Sequence, residues 1–272
     1  MIRDITIGQY YPAKSVLHRL DPRVKLVSTL LYLISLFLVK NVWGYVVATV
    51  FLIAVIRLSK VPFSYIVRGL KPIIMLLMIT VIFNLFLTRS GDVLFSWWIF
   101  TVTEGGLKTA VFMAIRLIYL IIGSSLMTFT TTPNELTDGI ETLLKPLNKI
   151  HVPVHEIAMM MSIALRFIPI LLEETDKIMK AQIARGADLE SGNMIQKAKS
   201  MIPILVPLFV SAFRRANDLA MAMEARCYRG GEGRTKMKPL HYEKRDYTAY
   251  AILAVYLVVM IVVSRVFGLL FV

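Results

Sequence analysis

Only one cysteine, Cys227, and four histidines stand among the 272 residues of this chain. A single thiol excludes an internal disulfide and any cysteine-cluster metal site. The histidines form no His-Glu-x-x-His pattern and no clustered set of metal ligands. Ser124-Ser125 has no histidine or aspartate framing it within its apolar run. The stretch Tyr228-Arg229-Gly230-Gly231-Glu232-Gly233-Arg234 lacks the Gly-Lys-Ser/Thr ending of a phosphate-binding loop. It reads as a flexible cytoplasmic loop, and no nucleotide site is visible elsewhere. Residues 1–25 are polar and basic and hold no apolar core of a cleavable signal peptide, so none is expected.

Acid is the scarce charge: 18 Asp and Glu stand against 31 Lys and Arg, a net of +13. Residues 133–246 hold 17 basic against 14 acidic side chains, a net of +3, and the remainder holds 14 against 4, a net of +10. The excess therefore flanks the apolar runs. That is the positive-inside pattern of a membrane protein and requires no nucleic acid.

Apolar residues are abundant. They make up 57% of the chain, with a mean hydropathy of +0.66, above the roughly 45–50% of a soluble domain. The fold class expected is an all-α integral membrane protein with about five transmembrane helices, plus a cytoplasmic coupling region of long amphipathic helices. The early runs are short. Leu26–Val39 and Asn41–Ile56 each fall below the roughly 20 residues of an ordinary span, although flanking lysine and arginine can snorkel. They predict a helical hairpin turning at Lys40-Asn41. Asp21 before Pro22 predicts a helix N-cap with proline at the first position, with Arg19, Arg23 and Lys25 anchoring at the headgroups. Arg57, Lys60, Arg68 and Lys71 carry no acid among them and predict a cytoplasmic loop. A third span is expected over Pro72–Leu87. The balanced loop Thr88–Gly106, with Trp97 and Trp98, suits the external interface. A fourth span, Leu107–Phe129, includes Arg116, which must face protein, either a partner helix or an ion pair. The last span is Tyr247–Val263. The domains so predicted are a membrane domain over 1–130, a coupling-helix domain over 131–246 and a C-terminal helix over 247–272.

The coupling region opens on Thr130-Thr131-Thr132-Pro133-Asn134-Glu135, a strong helix start, with a short amphipathic helix to about Leu147. Two long segments follow, His155–Arg185 and Met194–Arg226. Each is apolar first and charged later, with Pro169 in one and Pro203 and Pro207 in the other. Prolines should kink them, and they read as amphipathic helices on or partly in the cytoplasmic face rather than simple spans. Each closes on a similar motif: Ala181-Gln182-Ile183-Ala184-Arg185-Gly186 and Ala222-Met223-Glu224-Ala225-Arg226-Cys227. The two arginines stand 41 residues apart. Small neighbours let a partner approach the backbone, and the guanidinium fork suits a carboxylate. An arginine at a helix C-terminus also favours the negative end of the helix dipole. Aligning the motifs leaves weak duplication and convergent helix design both open. Met159-Met160-Met161 fits packing, or a surface that accepts more than one partner.

With these residues in view the chain resembles the transmembrane T component of energy-coupling factor transporters, which import vitamins and metals. The resemblance covers essentially the whole chain. It rests on Leu20-Asp21-Pro22-Arg23-Val24-Lys25, the paired Ala-Arg-small motifs and the lone span after them. It implies a non-catalytic subunit with no cofactor of its own, ATP being bound by two partner ABC-type ATPases. It further implies that Arg185 and Arg226, framed by Ala184, Gly186, Ala225 and Cys227, each reach acidic side chains in one ATPase. Apolar faces of the coupling helices, around Met159, Met160, Ile202 and Leu205, would carry a substrate-binding S component. The N-terminus and coupling region would be cytoplasmic in the cell membrane. Cys227 departs from the glycine of the first motif and implies the same role with less backbone freedom. Two other readings compete: a membrane-embedded hydrolase using Glu173-Glu174 or His155, and a permease forming its own substrate path. The near absence of ionisable groups in the first three runs argues against the permease.

Overall fold

The computed structural model describes residues 10–39, 41–87, 92–97, 100–187, 193–231, 233 and 235–270. The chain is all-helical apart from one short hairpin. In order it forms α1 (Pro22–Leu38), α2 (Val42–Ser59), α3 (Phe63–Leu70), α4 (Ile74–Leu87), β1 (Val93–Trp97) and β2 (Phe100–Thr103). Then come α5 (Glu104–Thr130), α6 (Pro133–Leu144), α7 (Val154–Ala184), α8 (Met194–Ser200), α9 (Ile202–Ala225) and α10 (Lys244–Leu270). Lys40, Arg89, Trp98, Glu232 and Arg234, which the sequence reading used, lie outside the described residues. The loop read as external contains the antiparallel pair β1–β2, with Trp97 opposite Phe100.

Among the described residues, five helices are long and apolar enough to cross a membrane: α2, α5, α7, the stretch Ile195–Ala225, and α10. The number matches the expectation but the membership differs. α1 has 17 residues and so spans about 25 Å, less than the roughly 30 Å of a hydrocarbon core. By contrast, the apolar halves of α7 and α9 qualify despite their charged ends. The third expected span is a broken one, with α3 and α4 meeting at a bend of 59° around Pro72.

One compact unit comprises Gly8–Gly139 and Leu240–Val272. Its core packs Tyr32 and Leu36 of α1, Ala48 and Leu52 of α2, Leu126 and Phe129 of α5, and Leu253, Tyr256 and Met260 of α10. Two hydroxyl pairs stitch the apolar interior, Ser35 with Tyr256 at 2.9 Å and Thr49 with Tyr119 at 2.5 Å.

Arg19 is exposed, but Arg23 and Lys25 are buried and turn inward rather than toward headgroups. Asp21 caps α1 as expected, its Oδ1 accepting the Arg23 N–H at 2.9 Å. The same carboxylate takes a bidentate guanidinium from Arg23, at 3.0 and 2.7 Å, and that guanidinium lies 3.9 Å over the Tyr242 ring. The Asp21 N–H donates to Asp246 in the first turn of α10 at 2.9 Å. Lys25 Nζ donates to the Thr130 carbonyl, the last of α5, at 2.7 Å and to His18 O at 3.2 Å. Arg116 makes no ion pair among the described residues and meets another helix instead. Its Nη2 donates to the Val39 carbonyl at the end of α1, at 3.0 Å. A helix leaves its last carbonyls without internal partners, and inside an apolar unit a cation is what reaches them.

Lys25→Met should therefore leave the Thr130 and His18 carbonyls unpaired and destabilise this unit by about 1–3 kcal/mol. Lys14→Met, at an exposed position, should change stability by less than about 0.5 kcal/mol. Thermal unfolding of both variants in detergent checks this; equal midpoints would refute the capping role of Lys25.

Candidate coupling-helix site

The second compact unit comprises Ile140–Pro239. Its frame is the pair α7 and α9. Two contacts define their course: Arg215 Nη2 pairs with Glu174 at 3.1 Å, and Gln182 Nε2 donates to Pro203 O at 3.3 Å. Moving forward along α7 moves backward along α9, so the helices run antiparallel. Between them lies a cleft of about 260 Å³ whose walls include Phe167, Leu171, Ala212, Ala216, Leu219 and Met223.

Of the three prolines expected to kink these helices, Pro169 and Pro207 sit inside continuous helix, in α7 and α9. A break falls between α8 and α9, at Met201, beside the third, Pro203. Pro203, in the first turn of α9, has no N–H and clashes with a preceding helical carbonyl. Asn193 starts α8 through a capping box with Gln196. Pro207 likewise leaves the Pro203 carbonyl without its usual intrahelical donor. Gln182, inside the first motif, supplies that donor from the other helix. Sequence patterning named Glu174 only as half of a hydrolase pair and Gln182 only within the motif, and paired neither with its partner on α9, because each reads locally as a polar residue on a helix face.

The two motif ends close in the same way, bond for bond. In the first, the Gly186 N–H donates to Ile183 O at 2.9 Å and the Ala187 N–H to Gln182 O at 3.0 Å. In the second, the Cys227 N–H donates to Glu224 O at 2.9 Å and the Tyr228 N–H to Met223 O at 3.0 Å. This is the Schellman closure, which needs a left-handed residue one past the cap. Gly186 meets it with φ of +85° and Cys227 with φ of +55°. Backbone amides thus occupy carbonyls of each last turn, and the arginine side chains are not used to cap them. Arg185 and Arg226 are exposed, and neither guanidinium makes a hydrogen bond or ion pair among the described residues. A helix-end dipole interaction alone does not require that outward presentation.

The other candidate residues are apolar positions of the same unit, Met159 and Met160 early in α7 and Ile202 and Leu205 early in α9. Met160 is 61% exposed, Ile202 53% and Leu205 42%, while Met159 is half-buried. On α9 the exposed face continues through Val206, Phe209 and Phe213, which the sequence reading did not name. Their spacing of three or four along α9 is the signal that would have found them.

The residues of the hydrolase reading are otherwise engaged. Glu174 is held by Arg215, and Glu173 is exposed. His155 Nδ1 pairs with Glu141 at 2.9 Å, and Lys236 Nζ reaches the other oxygen of Glu141 at 2.5 Å. A side-chain carbon at Gly231 would lie 2.5 Å from the His155 ring, so only glycine permits that approach. Gly231, within the glycine-rich stretch, and Lys236, just beyond it, thus both meet the His155–Glu141 pair. Among the described residues no group of three or more His, Cys, Asp or Glu is arranged to hold a metal.

Burial raises the Glu141 carboxyl, but hydrogen bonds and charge from Lys236 and His155 outweigh it and hold the group below its ordinary range. A depressed carboxylate contributes stability that is fully present above its unfolded pKa of about 4.3. That contribution is lost as pH falls through the lower folded value. Trypsin cleavage after Lys236 should therefore stay slow at neutral pH and accelerate in Glu141→Gln at the same pH. Unchanged cleavage in that variant would refute the anchor.

Cys227 accepts a left-handed conformation that costs an L-residue roughly 1–2 kcal/mol. Cys227→Gly should slow hydrogen exchange at amides 227 and 228 by up to about 1 kcal/mol, less the greater freedom of glycine in the open state. Cys227→Val should speed it. Faster exchange in the glycine variant would contradict the strain.

A family model described as Cobalt transport protein (CbiQ) matches residues 13–237. The chain is 60% identical over 267 residues to the energy-coupling factor transporter transmembrane protein EcfT of Clostridium kluyveri, covering 98% of each. It is 51% identical over 246 residues to the protein of that name in Bacillus subtilis, covering 90% of this chain and 93% of that one. With its counterpart in Lactococcus lactis it shares 44% identity over 265 residues, 97% and 100% of the two chains.

Proposed function

The chain belongs to the CbiQ family and, within it, is a transmembrane component of the EcfT type in energy-coupling factor transporters; from that premise we propose that it transmits the motion of two ABC-type ATPases to a substrate-binding S component for vitamin uptake. The observation that carries this reading is the pair of exposed, unbonded guanidiniums on two identically closed helix ends. Antiparallel helices send those ends in opposite directions. Each end lies 11 residues beyond the Glu174–Arg215 contact, an arm of about 17 Å. Two separate partners can therefore be engaged at once.

In this reading Arg185 and Arg226 each form a bidentate pair with acidic side chains of one ATPase. Ala184 with Gly186, and Ala225 with Cys227, keep the surroundings low enough for close approach. ATP is bound and hydrolysed by the partners. When the ATPases close, the two arms move with them and α7 and α9 tilt against each other. The apolar residues Met159, Met160, Ile202 and Leu205 then shift under the S component and reorient it. The N-terminus and this unit face the cytoplasm, consistent with the basic stretch Arg57–Lys71.

Removing one arginine leaves a partner carboxylate uncompensated, at a cost on the order of 2–5 kcal/mol where the contact is buried. Two anchors act through effective concentration, so Arg185→Ala with Arg226→Ala should lose both ATPases on affinity purification and abolish vitamin uptake. The S component should remain bound. The double lysine variant should recover little, because lysine lacks the planar fork. If the double alanine variant retains both ATPases and transports normally, these residues do not couple the transporter.

A further inference from the structure

The motifs stand 41 residues apart, and the same offset relates two residues that meet where α7 and α9 cross. Glu174 shifted by 41 is Arg215, and the two form the ion pair at 3.1 Å. When equivalent positions of two repeated elements touch each other, they lie on a local two-fold axis, as in an isologous interface. The other contacts follow the same rule. Leu171 and its counterpart Ala212 both line the cleft. Gln182 reaches Pro203, the counterpart of Ser162, and positions 162 and 182 are centred on Leu172. Phe167 shares the cleft with Leu219, the counterpart of Ile178, centred within a turn of the same point.

A residue on such an axis faces its own equivalent, so identical residues would set like against like. Here the axial pairs are complementary instead. Glu174 opposes Arg215 in charge, and Leu171 opposes Ala212 in size. Two glutamates in that place would repel, and two leucines would compete for one space.

We propose that Glu174 and Arg215 are positioning residues that pin the crossing of the two coupling helices on a local two-fold axis, and so set the separation of the arginine-tipped ends. Its consequence for transport rests on the coupling role proposed above; the pin itself does not. Because both residues lie on the axis, exchanging them regenerates an equivalent pair. A side-chain bridge placed off an axis has no such exchange symmetry, since its two ends have unrelated surroundings. The pair is partly exposed, with side chains 38% and 27% accessible, so its contribution to overall stability is small and the test must read geometry.

Lys180 and Met221 are also counterparts at the offset of 41, and both are exposed. Spin labels at Lys180→Cys and Met221→Cys, in the full chain carrying Cys227→Ser, each stand six residues beyond the Glu174–Arg215 contact and so sit about 18 Å apart along the helices. The chain is placed in phosphatidylcholine–phosphatidylglycerol nanodiscs and the distance measured by pulsed electron resonance. The parent should give one narrow distance. Glu174→Arg, which sets two guanidiniums on the axis, should lose that peak, and Glu174→Gln should broaden it. Glu174→Arg with Arg215→Glu should restore the parent distribution. The idea is overturned if the single variants match the parent, or if the exchange stays as broad as Glu174→Arg. In the assembled transporter, vitamin imported per ATP hydrolysed should fall in Glu174→Arg and return in the exchange. If the parent chain recruits no ATPase, the coupling role fails while the spin-label result still decides the pin.

Discussion

Backbone groups at helix ends that water does not reach must be satisfied from within the protein, and much of this structure follows from that requirement. In the first unit the donors are buried cations. Lys25 serves the last carbonyl of α5 and Arg116 serves the end of α1. An ammonium or guanidinium taken out of water is costly unless its donors are used. A helix end that presents free carbonyls, and carries the negative pole of the helix, is a neutral partner that meets part of that cost. The acids work at the opposite poles. Asp21 caps α1, and Asp246 accepts the N–H of Asp21 and, at 2.8 Å, that of Glu243. One short sequence, Leu20 to Lys25, therefore binds three helix termini together.

In the second unit the same requirement is met without cations, and this frees the arginines. At Arg185 and Arg226 the closing bonds come from the next two backbone amides. Had the guanidiniums been needed as caps, they would have folded back onto their own carbonyls. Gly186 takes the left-handed turn readily and Cys227 takes it with strain, yet the hydrogen bonds are the same. The conformation is thus retained at the second end although the residue best suited to it is absent. The carbonyl freed by Pro207 is met differently again, by Gln182 from across the crossing.

Legibility in the sequence tracked the range of the interaction. The N-cap at Asp21, the membrane class and the paired motifs are local patterns, and they stand in the structure where composition and spacing put them. Arg23, Lys25 and Arg116 were legible as basic residues near or within apolar runs, but not in their roles. What Lys25 and Arg116 bind are carbonyls 7 to 105 residues away, and Arg23 binds the Asp21 carboxylate; a carbonyl has no signature in sequence. Pro169, Pro203 and Pro207 were read as kinks; the chain carries helix through Pro169 and Pro207 and breaks just before Pro203. α1 was read as a span on the strength of flanking charges, and of these Arg23 and Lys25 are buried, where they cannot lengthen it by snorkelling. The apolar face through Phe209 and Phe213 was open to a helical count along α9. The Glu174–Arg215 pair was not, since nothing local distinguishes a charge at a crossing from one on a solvated face.

The structure also bears on the choice between duplication and convergent design. Convergence on a docking motif explains two similar ends, because each end answers to a similar partner. It does not explain why residues at the motif offset should also meet in the middle of the helices, where no shared motif survives. Glu174 with Arg215, and Leu171 with Ala212, are equivalent in position but opposite in character. An internal repeat that packs against itself is under pressure to diverge at its axis and to stay alike at its tips, since like charges repel at the axis while both tips need the same closure. Similarity at Ala184-Arg185 and Ala225-Arg226, with complementarity at the crossing, is the pattern such a repeat leaves behind.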